Sequence, residues 1–453
     1  MDGVKETDIR WTHDIPSDWD LLKFRMGFSF SKGLNITKDD LVEEGIPVIS
    51  YGQIHAKDNP GTGIVDSMLR YVPESHLLRN KSCLVQSGDF IIADTSEDYA
   101  GVGNTAFVDR NSTLFAGYHS IIAKPILGSM YPKYFAYLFL TDSWRDQIRA
   151  NVMGVKVFSI TQRLLRDTVI LIPSIKEQKA IVAYLDRECA KLDAIVETIE
   201  QQIGKLELYV QSLISETINR GIHADCQMTE SGISWIGMIP KHWAIKKLRY
   251  LGTLQNGISK DSASFGSGFP FVSYGDVYNN IELPCSVEGL VESSRADRVA
   301  YSVKYGDVFF TRTSETIEEI GIASTCLKTI DNATFAGFLI RFRPMTDELE
   351  PIFSKYYFRA EMLRKYFVKE MMIVTRASLG QNLLKNLPVL IPPRTEQIAI
   401  GRFLDEKCAQ IESVIQDKQK QLEKIRSYKK SLIYEYVTGK KRVKEVQTNA
   451  HQS

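Results

Sequence analysis

Ile172-Pro173-Ser174-Ile175-Lys176-Glu177-Gln178 returns 219 residues later as Ile391-Pro392-Pro393-Arg394-Thr395-Glu396-Gln397. From there the two copies run on without a gap. Leu185-Asp186 matches Leu404-Asp405, Cys189 matches Cys408, and Ser212-Leu213-Ile214 matches Ser431-Leu432-Ile433. A repeat of that length describes two similar domains on one chain rather than a solenoid of small units.

Each repeated stretch opens a long helix. In the first, Leu185, Cys189, Leu192, Val196, Ile199, Ile203, Leu206, Val210 and Leu213 alternate spacings of four and three, which is an unbroken heptad seam. Gly204 is its weak point, at a cost of about 1 kcal/mol against alanine. In the second, the seam is Leu404, Cys408, Ile411, Ile415, Lys418, Leu422, Ile425, Lys429 and Leu432. The two lysines lower stability but can fix register and partner choice. About 40 residues of helix span roughly 60 Å, and an apolar stripe of that length needs a partner. The simplest partner is the other copy, running antiparallel. The expected architecture is a dumbbell of two globes joined by a two-helix rod. The alternatives are a helix packed on its own domain or paired with another chain.

Working outward, the whole first half recurs. Trp11, Ile15-Pro16 and Trp19 match Trp235, Ile239-Pro240 and Trp243, and Gly45–Gly52 matches Gly268–Gly275. Gly88–Ser96 matches Gly306–Ser314, and Phe115-Ala116-Gly117 matches Phe335-Ala336-Gly337. Short apolar runs such as Phe90-Ile91-Ile92-Ala93 follow Gly-Asp turns, as buried strands do. One helical stretch is expected near Pro132–Ala150 and one near Pro351–Glu370, where aromatics fall at helical spacing. The fold class is therefore α+β: two repeated mixed α/β domains separated by two long antiparallel coiled-coil helices. The expected bounds are residues 1–174, helix 175–222, residues 223–393, helix 394–440, and a flexible tail at 441–453.

Composition narrows the function. The chain has 453 residues, 44% apolar and 25% charged, an ordinary balance for a globular protein of more than one domain. It has no apolar run of about eighteen residues and no signal-like N-terminus, so no membrane span is expected. The six cysteines are scattered without a C-x-x-C pair, which argues against a disulfide framework or zinc site and for a reducing, cytoplasmic setting. No metal site is expected. The net charge of +1 excludes nucleic-acid binding by bulk charge, so such binding would rest on local patches or on a partner that carries positive surface.

A catalytic constellation is missing. There is no phosphate-binding G-x-x-x-x-G-K-[ST] loop and no Asn-Pro-Pro-aromatic tetrapeptide. Carboxylates cluster at Glu97-Asp98 and Glu315–Glu319; a magnesium-dependent nuclease could use them, but a solvated loop after a buried strand is the simpler reading. What remains is a set of polar loops. One carries Tyr51 and Gln53, with Tyr274 opposite in the second copy. Another carries Thr95 and Ser96, matched by Arg312, Thr313 and Ser314. A third carries Lys156 with Ser159 and Gln162, and the corresponding stretch of the second copy carries Arg376 with Ser378 and Gln381. Arginine and lysine bond guanine, glutamine bonds adenine, and hydroxyls hold phosphate or either base. Between the copies the frame is kept while tips change: Asp94 stands opposite Arg312, Gln53 opposite Asp276, and Val157 opposite Arg376. That pattern suits two globes reading two different sequences, and it also suits drift on exposed loops.

With these residues in place, the chain resembles the specificity subunit of type I restriction–modification enzymes over nearly its whole length. The resemblance rests on the paired Ile-Pro…Glu-Gln helix openings, on the Ile-Pro/Trp segments, and on Gly306–Ser314, which is similar to the family's typical Gly-Asp-Ile-Leu-Ile-Ala-Arg-Thr-Gly. Copy one departs there, with Asp94 in place of the arginine. The resemblance implies that each domain is a target-recognition domain for one half of an asymmetric, bipartite double-stranded DNA site, with the helices setting the unread spacer. It implies two methylase subunits that bind S-adenosylmethionine and methylate an adenine taken out of the stack, and restriction/translocase subunits that use ATP and Mg. The chain itself would hold no cofactor and no catalytic residue, and would work in a bacterial or archaeal cytoplasm. The recognition subunit of a two-subunit enzyme cutting both sides of its site would look similar. A protein-binding coiled-coil adaptor is the reading from a different class.

Overall fold

In a computed structural model the chain is described over residues 3–7, 14–154, 156–223, 225–314, 319–370 and 377–443. It divides into two compact units, one of residues 1–198 with 420–453 and the other of residues 199–419. Each long helix therefore gives its first half to one unit and its second half to the other. This differs from a plain domain–helix–domain–helix order, and the reason lies in the cores described below.

In the first unit, four antiparallel strands lie in the order Thr105–Phe107, Phe90–Ala93, Ser120–Pro125, Phe28–Lys32. A second sheet is ordered Arg70–Val72, Ile46–Ile49, Leu114–Ala116, Leu84–Val85, with its one parallel pairing between Ile46–Ile49 and Leu114–Ala116. Strand Phe90–Ala93 explains the layering. All four residues are buried, and side chains alternate across a strand. Phe90 and Ile92 join the helix-side core with Phe135, Phe139 and Trp144. Ile91 and Ala93 join a separate core with Ile49, Leu114 and Ala116 of the second sheet. An unbroken apolar run is what a strand covered on both faces requires.

The second unit repeats this plan. Ala323–Thr325, Val308–Thr311, Leu339–Pro344 and Gly252–Asn256 form its four-stranded sheet. Leu290–Val291, Phe265–Val272 and Thr334–Phe335 form the second. The Gly-Asp pair before the central strand has a structural task in both copies. Gly88 and Gly306 take φ of 100° and 88°, a turn that suits glycine. Asp89 then accepts from the Gln86 amide at 2.9 Å and pairs with Lys124 at 3.2 Å. Asp307 accepts from the Lys304 amide at 2.8 Å and holds Arg343 by two bonds of 2.5 and 2.7 Å.

The expected single helical stretches are each two helices. They are Pro132–Phe139 and Asp142–Arg149 in one unit, and Pro351–Tyr357 and Met362–Glu370 in the other. In the first unit the break falls at Thr141, whose hydroxyl and amide both bond the Leu138 carbonyl. That local side-chain bond competes with helix continuation, which aromatic spacing does not reveal.

The long helices run Ile175–Arg220 and Arg394–Val437, with 46 and 44 residues. Their Glu-Gln openings are the joints of each unit. Gln178 is fully buried; its amide donates to the carbonyls of Ser129 (3.0 Å) and Pro173 (2.8 Å), and its oxygen accepts from the Tyr131 amide (2.7 Å). Gln397 does the same with Glu348, Pro392 and Glu350. Glu177 accepts from the Trp19 indole at 3.0 Å, and Glu396 from the Trp243 indole at 3.1 Å. Trp19 and Trp243 of the repeated Ile-Pro/Trp segments thus meet the helix starts. Each helix ends at a glycine with φ of 75°, Gly221 and Gly439. A Cβ at Gly439 would strike Pro16 and approach Trp19; one at Gly221 would strike Glu396 and approach Trp243.

The seam is occupied as its spacing predicts. In the first unit Leu185, Cys189, Leu432, Ile433 and Val437 share one core, with Leu192 packed against it, and the Tyr184 and Tyr436 rings stand 4.4 Å apart. Lys429 donates to Asp193 at 2.6 and 2.7 Å. Residues 184 and 193 therefore face 436 and 429, an antiparallel pairing. In the second unit Leu404 and Ile218 share a core that Leu213 and Cys408 pack against, and Lys418 donates to Gln202 at 2.6 Å. Ile199, Ile415 and Leu422 are buried, while Val196, Ile203, Leu206, Val210, Ile411 and Ile425 are half-buried between exposed flanks. Both seam lysines are thus answered by a polar group on the facing helix. Changing Lys418 and Lys429 together to leucine should raise the stability of the pair by about 1 kcal/mol per site, from apolar area covered, while loosening register. A later thermal midpoint together with new oligomers by light scattering is expected. A variant that melts no later and stays as uniform as the parent would contradict this.

Of the expected flexible tail at 441–453, residues 444–453 lie outside the described residues. Residues 441–443 are held in the first unit: Arg442 forks onto Asp18 at 2.8 and 3.0 Å and bonds Glu177 at 2.9 Å, and Val443 packs on the core. The Arg442 guanidinium holds the Asp18 carboxyl below the usual carboxylate range.

Candidate nucleic-acid interface

The three polar stretches of the first copy come together in space. Thr95–Ser96 pairs with Phe158–Ser159 as a two-stranded ribbon, with Ser159 opposite Thr95. Ile160 donates to the Asp94 carbonyl at 2.7 Å. His55, one turn beyond Tyr51, donates Nε2–H to the Thr95 carbonyl at 2.8 Å and accepts from Asn104 at Nδ1, a tautomer that its two partners dictate. Lys156 is exposed beside this ribbon, and Gln162 is half-buried at the start of helix Gln162–Asp167, whose N-cap is Thr161. Met153 and Val157, exposed neighbours of Lys156, add apolar surface.

The second copy builds the same ribbon from Thr313–Ser314 and Ala377–Ser378, with Ser378 opposite Thr313. The Leu379 amide donates to the Arg312 carbonyl at 2.7 Å. Arg312 and Thr313 are half-exposed. Tyr274 stacks on Tyr278 with ring centroids 5.9 Å apart. Arg376 and the side chain of Ser314 lie outside the described residues, as do residues 315–318 of the carboxylate run.

Three of the candidate residues are committed elsewhere. Ser96 is buried, and its hydroxyl donates to the Asp98 carbonyl at 2.7 Å, so it shapes its own loop and is withdrawn as a DNA contact. Gln53 accepts from the Ser50 amide at 3.1 Å in a capping box. Gln381 donates to Asn256 at 2.9 Å and ties its helix to strand Gly252–Asn256. The last two keep a half-exposed position, yet each spends part of its amide on the fold.

One position escaped sequence reasoning. His119 joins the stretches: its carbonyl accepts from the Asp94 amide at 3.1 Å, its Nδ1 lies 3.3 Å from the Asp94 carboxylate, and its ring meets that of Tyr51 at 5.4 Å. Its φ is +52°, uncommon for a residue with a Cβ. In the second copy the carbonyl of Phe338 accepts from the Arg312 amide at 2.9 Å, so Phe338 stands where His119 stands. A one-residue difference after the repeated Phe-Ala-Gly hides this match in the sequence. The only signal available is that both residues follow that tripeptide.

Among the described residues, no group of three or more His, Cys, Asp or Glu could hold a metal ion, and no helix is long and apolar enough to cross a membrane.

Comparison with known proteins places this geometry. The chain is 22% identical over 444 residues to the type I restriction enzyme EcoKI specificity subunit of Escherichia coli (strain K12), across 94% of this chain and 89% of that protein. It is 22% identical over 456 residues to the MjaVIII specificity subunit of Methanocaldococcus jannaschii, across 98% and 99%. Among solved structures, one described as the structural basis of complex assembly and conformational transition of the type I R-M system superposes with a TM-score of 0.70 at 17% identity, across 94% and 99% of the two chains. The HsdS subunit of Thermoanaerobacter tengcongensis superposes with a TM-score of 0.51 at 17% identity, across 94% and 98%. A family model for the type I restriction modification DNA specificity domain matches twice, at residues 19–205 and 240–424, each match taking in one two-stranded ribbon and the first part of one long helix. The chain belongs to the type I restriction–modification DNA specificity family and carries its domain twice.

Proposed function

We propose that the chain is the DNA-specificity subunit of a type I restriction–modification complex, with each domain reading one half of an asymmetric, bipartite site. The observation that carries this reading is the twofold recurrence of one frame with different reading tips. Asp94 and His119 stand in the first copy where Arg312 and Phe338 stand in the second. An acidic and a basic tip cannot prefer the same base, since carboxylates accept from cytosine while arginine donates to guanine. The antiparallel helices set the unread spacer between the half-sites.

The chain supplies recognition and no chemistry. Two methylase subunits bring S-adenosylmethionine and methylate adenine, and restriction subunits bring ATP and Mg. A net charge of +1 fits a division in which the partners neutralise much of the phosphate charge that drives affinity. Linking two readers on one chain raises affinity through effective concentration.

Single-molecule sequencing of methylated adenines in a host expressing the chain with its methylase tests the reading. A split motif is expected, and an undivided motif or none would overturn it. Arg312→Ala should then cost about 1–3 kcal/mol at one base position, relaxing one half of the motif only. Retention of the parental motif and affinity would remove Arg312 from the interface.

A further inference from the structure

We propose that position 119 of the first domain and position 338 of the second are specificity-determining contacts, with Phe338 packing against a thymine methyl group beside the base that Arg312 reads. The inference rests on the DNA-reading function above and assigns its chemistry. Three observations carry it.

The two residues are equivalent by backbone bonding, each accepting from the amide of the tip residue next to the ribbon. In each unit this is where two stretches meet: strand Thr95–Ser96 or Thr313–Ser314 on one side, and the return of the chain into the four-stranded sheet on the other.

Both side chains face outward. Phe338 is 64% exposed, although its neighbours Leu339 and Ala336 are buried. An exposed phenylalanine alone needs no explanation. Here it lies beside a half-exposed arginine, and the pair has the composition of a base-reading element: an apolar surface for the C5-methyl of thymine and a forked donor for guanine O6 and N7. The imidazole of His119 is 57% exposed, and it faces the Asp94 carboxylate. That pair presents an acceptor suited to the cytosine amino group.

His119 also holds a left-handed backbone, φ +52°. Such conformations cost free energy and gather at ligand sites, where the surrounding structure over-determines them. Its carbonyl bond to Asp94 and ring contacts to Tyr51 and Tyr118 supply that constraint.

The test uses the chain in complex with its methylase and duplexes carrying the motif found by methylation sequencing. Each thymine of the half-site read by the second domain is replaced in turn by deoxyuridine, which removes only the methyl group. The parent complex should bind one such duplex about fivefold more weakly, and Phe338→Ala should bind it and the unmodified duplex equally. Should Phe338→Ala fail to assemble, Phe338→Val takes its place with the same expectation. In the companion experiment, His119→Ala should relax the motif in the other half only. The proposal is overturned if no thymine is sensitive, if the Phe338 variant keeps the parental sensitivity, or if His119→Ala leaves the motif unchanged. Failure of the DNA-reading function would look different, because the parent complex would then show no split motif at all.

Discussion

Replacing Gln178 with leucine is expected to cost the first unit on the order of 4 kcal/mol. The side chain is fully buried and satisfies three backbone groups, the Tyr131 amide and the Ser129 and Pro173 carbonyls. Leucine fills a similar volume but bonds none of them, and each buried group left unpaired costs about 1–3 kcal/mol. The damage should be local. Tyr131 precedes helix Pro132–Phe139, which carries Tyr134, Phe135 and Phe139 into the core. Gln397→Leu should act likewise in the second unit, through Glu350 and helix Pro351–Tyr357. Urea melts of the full chain with mass-spectrometric hydrogen exchange would measure both. Each variant should melt earlier and lose protection around its own helix start. Unchanged midpoint and protection at residues 129–139 would refute the joint assigned to Gln178.

Asp307→Asn should cost about 3 kcal/mol, and Asp89→Asn clearly less. The two positions match in sequence but not in surroundings. The Asp307 side chain is 1% exposed and holds Arg343, itself 25% exposed, by two bonds. Removing one partner of a buried pair leaves a charge without compensation, typically at about 3–5 kcal/mol; the partial exposure of Arg343 places this case at the lower end. Asp89 faces Lys124, which is 36% exposed and can turn to water, so its loss falls nearer the range of about 0–1 kcal/mol for surface pairs. Thermal melts of both variants provide the comparison. Equal losses would mean that the shared turn, and not the ion pair, carries the stability.

Much of this was legible in the chain. The exact recurrence of Ile-Pro…Glu-Gln located both long helices, because an apolar seam of that length has only one economical partner. Phe90–Ala93 and Val308–Phe310 were readable as buried strands because none of their side chains carries a polar group to present to water. The seam lysines signalled register, and Asp193 and Gln202 meet them. The candidate contact positions were only partly legible. Ser96 and Gln53 have residue types suited to DNA, yet the same hydroxyl and amide chemistry serves turns and caps. His119 and Phe338 share no chemistry, so nothing in composition could pair them.

The sequence by itself determined the doubling, the two long helices and the buried central strands, because each follows from local spacing and residue type. Only the tertiary structure decided that each unit borrows the end of the other repeat's helix, and which polar loop residues are spent on the fold. Those outcomes depend on pairings between residues up to hundreds of positions apart, such as Tyr134 with Val437, which no local pattern encodes.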